Sequence, residues 1–131
     1  MIAFDTNVLV RLIVQDDPDQ AAVAEQRYRT AAETGDTIFL CDVVLVEIVW
    51  VLGFTYHATR TDIIDALQSL LDDSVFVFQD RDAVQKGLAS YRRTKADFAD
   101  HLIGVHARTH GAQTVYTFDR TLSREEGFSP P

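Results

Sequence analysis

The chain predicts an α/β fold in which a central, mainly parallel sheet of four to five short strands is covered on both faces by helices. Three observations lead there. Short apolar runs alternate with longer segments of helical composition, the pattern of parallel strands joined by helical crossovers. At 131 residues, 47% of them apolar, the chain can bury one core and is too short to divide comfortably into two, so one domain over residues 1–131 is expected. No residue type dominates and no solenoid-type repeat is present, which excludes a disordered or repeat architecture.

Ile2-Ala3-Phe4-Asp5 reads as a short buried strand. Thr6-Asn7 is a helix-start signal ahead of Val8, Leu9 and Leu12,. Asp16-Asp17-Pro18-Asp19 is a turn with proline near a helix start, and Ala21 to Glu33 has helical composition up to a stop at Gly35,. Thr37 to Cys41 is a second strand, after which Asp42 can cap a helix from Val43 to about Phe54,. Ile63, Ile64, Leu67, Leu70 and Leu71 form a helical stripe within Thr61 to Leu71,. Val75 to Phe78 is a third strand, Arg81 to Arg93 a helix, and Phe98 to His110 a further helix closed by Gly111,. Thr114 to Phe118 is a fourth strand, and Gly127 to Pro131 is expected to lack regular structure.

Composition narrows the function. The single cysteine, Cys41, has no partner for a disulfide or a thiolate metal cluster and is expected to be a buried small residue,. Met1 to Phe4 reaches Asp5 without the basic start and long apolar run of a signal peptide,. The longest apolar run, Val43 to Phe54, is about half of a bilayer span and contains Glu47,. No membrane association and a cytoplasmic location are therefore expected. A formal charge of −8 opposes nucleic-acid binding through a generally basic surface. That objection weakens if several acids hold divalent cations, which reverse the field an anionic phosphate meets.

In parallel α/β sheets ligands sit beyond the carboxyl ends of the strands, and acids stand there. Asp5 closes the first strand and Asp119 the fourth; either residue could equally serve as a cap where strand gives way to helix or turn,. Glu47 interrupts an almost wholly apolar helix, where a carboxylate needs a cation, a proton or a wet edge,. Asp97 and Asp100 flank the start of a helix, and an N-cap with a first-turn acid would account for both without function,. Taken together, these acids can converge on one pocket, and carboxylate oxygens suit Mg²⁺ or Mn²⁺, whereas zinc would bring histidine or cysteine. His101, His106 and His110 share one helix without a His-Glu-x-x-His pattern and, like His57, read as surface or partly buried residues,. There is no glycine-rich phosphate loop and no Gly-x-Ser-x-Gly elbow,.

Four segments carry a family resemblance: Phe4-Asp5-Thr6-Asn7-Val8-Leu9-Val10-Arg11, Val46-Glu47-Ile48-Val49-Trp50-Val51-Leu52, Ala96-Asp97-Phe98-Ala99-Asp100-His101-Leu102-Ile103, and Thr117-Phe118-Asp119-Arg120. In this order and spacing the sequence resembles PIN-domain nucleases, and among them VapC-like ribonuclease toxins of type II toxin–antitoxin systems. The resemblance implies a three-layer α/β/α sandwich and an acidic pocket holding Mg²⁺ or Mn²⁺ that cleaves RNA. It also implies a cognate antitoxin and a homodimer. By position, Asp5, Glu47, Asp100 and Asp119 look like the catalytic acids and metal ligands, since Asp100-x-x-Ile103 aligns best with the family's third acid. Asp97 is then either an extra ligand or the helix cap. Thr6, Asn7 and Thr117 look like supporting polar positions. Arg11, Arg92, Arg93, Lys95 and Arg120 are candidates for contact with the RNA backbone, although Arg92-Arg93 also suits a solvated helix face.

The chemistry agrees with the residue types, because phosphodiester hydrolysis needs a neutralised phosphate, an activated water and a stabilised leaving oxygen, all of which carboxylate-held Mg²⁺ supplies. Three rivals remain in view. A phosphatase with an aspartate nucleophile after strand one would want a second aspartate where Asn7 stands, and a receiver-like phosphoacceptor would want an acidic pair there. A catalytically silent PIN-like binding module would not need all four acids.

Overall fold

Three short strands, β1 (Ile2–Ala3), β2 (Ile38–Leu40) and β3 (Phe76–Phe78), pair in parallel in the order β1-β2-β3. They form the sheet of a first unit, Met1–Arg81, and a second unit spans Asp82–Pro131. The computed structural model describes residues 1–131.

In the first unit, every crossover between strands is a pair of helices. α1 (Thr6–Val14) and α2 (Pro18–Thr34) connect β1 to β2, while α3 (Asp42–Phe54) and α4 (Arg60–Asp72) connect β2 to β3. The boundaries follow capping chemistry. Asp17 caps α2 by accepting from Gln20 N, Pro18 occupies the first turn where no amide is missed, and Gly35 ends the helix at φ 71°,. Thr59 and Asp62 form a reciprocal capping box at the start of α4,. Leu9, Ile38, Leu40, Leu45, Ile48 and Leu67 are fully buried and make the centre of this unit's core.

Several boundaries differ from expectation. β1 ends at Ala3, and Ile2 is 39% exposed. Phe4, just beyond the strand, is buried at 6% exposure, so only the end of the run is the buried segment its composition suggests. Cys41, rather than Asp42, takes the cap position of α3, where it is half-buried and offers no side-chain cap bond.

In the second unit, α5 (Arg81–Arg93), whose first residue closes the first unit, is followed by α6 (Phe98–Thr109) and by β4 (Val115–Tyr116) and β5 (Phe128–Ser129). The rings of Tyr91 and Phe98 meet edge to face with centroids 6.1 Å apart. β4 pairs in parallel with β5, Val115 opposite Phe128 and Tyr116 opposite Ser129. The segment expected to lack structure is thus a strand, held because Phe128 packs with Ala96, Leu122 and Val115. Gly104 makes room for it: a Cβ there would lie 2.7 Å from Phe128 Cζ. All five strands make parallel pairs, three within the first unit and two within the second.

Candidate active site

In the first unit, the turn from β1 into α1 presents Asp5, Thr6 and Asn7 in succession. Asp5 is exposed and caps α1, its Oδ1 accepting from Val8 N at 3.0 Å. The cap engages one carboxylate oxygen, so the capping and ligand readings of Asp5 are compatible. Thr6 is half-buried as the first residue of the helix, and Asn7 is exposed beside Asp5 along a cleft of about 720 Å³ that Phe4, Val8, Val23 and Arg27 also line.

Glu47 lies on the solvent face of α3, with Val43, Trp50 and Phe54, while Val44, Leu45, Ile48, Val49 and Leu52 turn inward. Of the outcomes open to a carboxylate in this apolar helix, the wet edge holds. Its ionised form needs no buried partner.

Arg11 is engaged within its own unit. Its Nε donates to Gln20 at 2.8 Å, and Nη1 donates to Asp16 and to the Tyr56 hydroxyl, each at 3.0 Å. These bonds tie α1 to the start of α2 and to the turn after α3, which gives Arg11 a structural role.

In the second unit, Asp97 occupies the N-cap position of α6 without a side-chain cap bond, and Asp100 is the acid of the first turn. The half-buried Asp100 carboxyl is pushed above the ordinary aspartate value, first by burial and then by the negative charge of Asp97. A hydrogen bond from the Asp97 backbone opposes the shift, and the charge of Asp119 adds to it,. Asp97 and Asp119 therefore both lie near enough to act on Asp100.

Asp119 forms a tight turn, its Oδ1 accepting from Thr121 N at 2.8 Å and Leu122 N at 3.0 Å at the start of the 3₁₀ turn Leu122–Arg124. Thr117 supports it: its hydroxyl accepts from Asp119 N at 3.1 Å, and its own amide donates to Ser129 O at 3.0 Å. Asp119 Oδ2 takes no part in the turn.

A half-buried Asp100 with two further carboxylates near it fits a hard divalent cation in kind,. Within neither unit, however, do three or more His, Cys, Asp or Glu side chains converge into a metal cage.

The basic candidates other than Arg11 all belong to the second unit. Arg92 and Arg93 form the last turn of α5, where cations suit the helix dipole, and Lys95 follows them,. Arg93 also lines a cleft of about 610 Å³ with Lys86, His101, Arg108 and Glu125. Arg120 is exposed beside Asp119.

The charge is divided unevenly. Residues 1–81 carry five Lys and Arg against fourteen Asp and Glu, whereas residues 82–131 carry seven against six. The acidity that argued against a nucleic-acid ligand thus belongs to the first unit alone.

Two residues depart from the sequence reading. His101, expected at or near the surface, is 5% exposed, with Nε2 2.5 Å from the Thr94 hydroxyl. Phe118, at the end of the run expected to be the fourth strand, lies beyond β4 and is 92% exposed, and Tyr116 is 69% exposed. No signal in an apolar run marks such residues, because strand composition says nothing about which strands acquire a covering layer.

Residues 2–126 match the PIN domain family, and the chain belongs to that family. Its six helices and parallel strands are the α/β architecture expected of it. Over 124 residues the chain is 24% identical to a protein of Aquifex aeolicus (strain VF5) named VapC ribonuclease, an alignment covering 95% of this chain and 91% of that one. No solved structure matches it. No helix is long and apolar enough to cross a membrane.

Proposed function

We propose that the chain is an endoribonuclease that cleaves RNA phosphodiester bonds with Mg²⁺ or Mn²⁺ and acts as the toxin of a toxin–antitoxin pair. The observation that carries this reading is a half-buried Asp100 with the carboxylates of Asp97 and Asp119 near enough to act on it in a PIN-family chain. Likeness to a VapC ribonuclease supports RNA as the substrate, and the antitoxin partner rests on the resemblance of the sequence to the toxin family. A homodimer rests on the resemblance alone.

Asp5, Glu47, Asp100 and Asp119 are the proposed catalytic acids and would hold the metal, with Asp97 as an additional ligand. When bound, the ion neutralises phosphate charge and lowers the pKa of the attacking water. The chain's own contribution is positioning. The Asp97 amide steadies Asp100, and the Thr117 hydroxyl and the amides of Thr121 and Leu122 fix Asp119. Thr6 and Asn7 supply polar groups next to Asp5. Arg92, Arg93, Lys95 and Arg120 hold the RNA backbone, leaving the acids to act on the bond between nucleotides.

The test is cleavage of a structured RNA pool by purified protein with Mg²⁺, with Mn²⁺ and with EDTA, alongside Asp5→Ala and Asp100→Ala. Metal-dependent cutting that both variants lose is the expected result. Equal inactivity of the folded, antitoxin-free wild type and the variants in every metal would replace this reading with that of a binding module.

A further inference from the structure

Phe118 is the most exposed of the chain's large apolar side chains, at 92%. An aromatic ring left in water forgoes about 1.5–3 kcal/mol available from burial, so a ring held out by an ordered backbone requires a reason. The backbone here is pinned on both sides. Val115 N donates to Gly127 O at 2.8 Å and Thr117 N to Ser129 O at 3.0 Å, while the Asp119 carboxylate holds the amides of Thr121 and Leu122. Phe118 is therefore presented by the bonds that fix Asp119.

Its neighbours indicate what the ring meets. On one side is Asp119, a proposed catalytic acid; beyond it is Arg120, exposed and without an ion pair. A stacking surface, an acid and a free cation thus follow one another in three consecutive residues, and Tyr116 adds a second exposed ring two residues earlier. These residues lie in the unit whose basic side chains outnumber its acids. A protein partner would call for a wider apolar patch with few charges at its centre, whereas a single-stranded nucleic acid calls for rings on which bases stack and cations along the backbone.

We infer that Phe118 is a stacking platform for an unpaired nucleobase of the RNA next to the bond that is cut, with Tyr116 as a second ring and Arg120 on the adjoining phosphate. This inference rests on the proposed ribonuclease reading and extends it: base identity beside the cut is read by stacking more than by hydrogen bonds. Stacking tolerates every base and favours those with the larger π-face, so a graded preference for purines at that position is expected rather than an absolute sequence requirement.

The experiment compares wild type, Phe118→Ala, Phe118→Leu and Phe118→Trp on a single-stranded RNA oligonucleotide and on the same oligonucleotide with one abasic position beside the cut. For Phe118→Ala, KM rises about 5- to 100-fold with kcat nearly unchanged. Phe118→Trp restores KM, Phe118→Leu does not, and the abasic substrate removes the difference between wild type and Phe118→Ala. In parallel, Phe118→Trp in a Trp50→Phe background is titrated with the oligonucleotide in EDTA, where quenching of the introduced indole reports stacking without cleavage. Wild-type cleavage with unchanged KM in Phe118→Ala overturns the inference, as does full rescue by leucine. A fall in sedimentation mass on Phe118→Ala assigns the ring to a second copy of the chain instead. If the wild type is inactive while the introduced indole is still quenched, the ribonuclease reading falls and the stacking site stands; inactivity without quenching sinks both.

Discussion

The Tyr56 hydroxyl donates to Asp16 Oδ2 at 2.7 Å across 40 residues of sequence. It also accepts from Arg11 Nη1 at 3.0 Å. One phenol thus closes a triad that ties the end of α1 and the approach to α2 to the turn beyond α3.

Tyr56→Phe deletes both bonds while keeping the ring. The expected loss is about 1 kcal/mol, read as a fall in Tm of about 3–5 °C. RNA cleavage per folded molecule stays at the wild-type level, because the triad is structural. A variant with wild-type Tm and impaired cleavage would return Arg11 to the list of RNA contacts.

The same triad sets an acid limit. Asp16 sits below the ordinary aspartate value, chiefly because Tyr56 donates to it, with Arg11 adding its charge against the opposing effect of burial. A depressed folded-state pKa stabilises the fold fully above the unfolded value, about pH 4, and this contribution is lost as pH falls through the folded value. Asp16→Asn is therefore less stable than wild type at pH 7, and the gap narrows below about pH 4. Thermal melts of both proteins from pH 7 to pH 3 measure this, and a constant gap would contradict it.

Gly104→Ala places a methyl against the Phe128 ring. Overpacking of this kind costs about 1–3 kcal/mol. Phe128→Leu removes the obstructing atoms, so a double-mutant cycle is expected to give a positive coupling between positions 104 and 128, with the alanine costing less in the leucine background. Additivity of the two changes would show that the ring moves aside freely.

Glu47→Ala separates function from folding. Because Glu47 lies on the outer face of α3, its removal should change stability by no more than about 0.5 kcal/mol. Cleavage is expected to fall by about a hundredfold or more, the scale of losing a preorganised charge at a reacting phosphate. Comparable loss of Tm and activity would make Glu47 a structural residue.

The alternation of strands and helices was legible because periodicity is local, and the extent of α5, Arg81–Arg93, coincides with its sequence boundaries. Partnership between strands is not local. Thr114 to Phe118 has the composition of a core strand, yet its pairing with β5 depends on Gly104 admitting Phe128, a contact spanning 24 residues that no short window contains. For the acids, sequence located strand ends and helix starts, where Asp5, Asp97 and Asp119 do stand. It could not tell which face of α3 is wet, since that helix is apolar on nearly every side and only packing against α1 and α4 chooses. Nor could it detect the triad of Arg11, Asp16 and Tyr56, whose members are ordinary surface types until the turns bring them together.

The parallel pairing of β4 with β5 has a consequence for the newborn protein. Thr117, whose hydroxyl accepts from Asp119 N, is itself held by Ser129, so this support of the turn is missing while the chain is still being made short of that residue. Domains fold as they emerge, N-terminal parts first. A ribosome-bound intermediate in which α1 to α6 are formed would therefore lack the β4–β5 ladder that buttresses Thr117, and through it Asp119, until synthesis had passed Ser129.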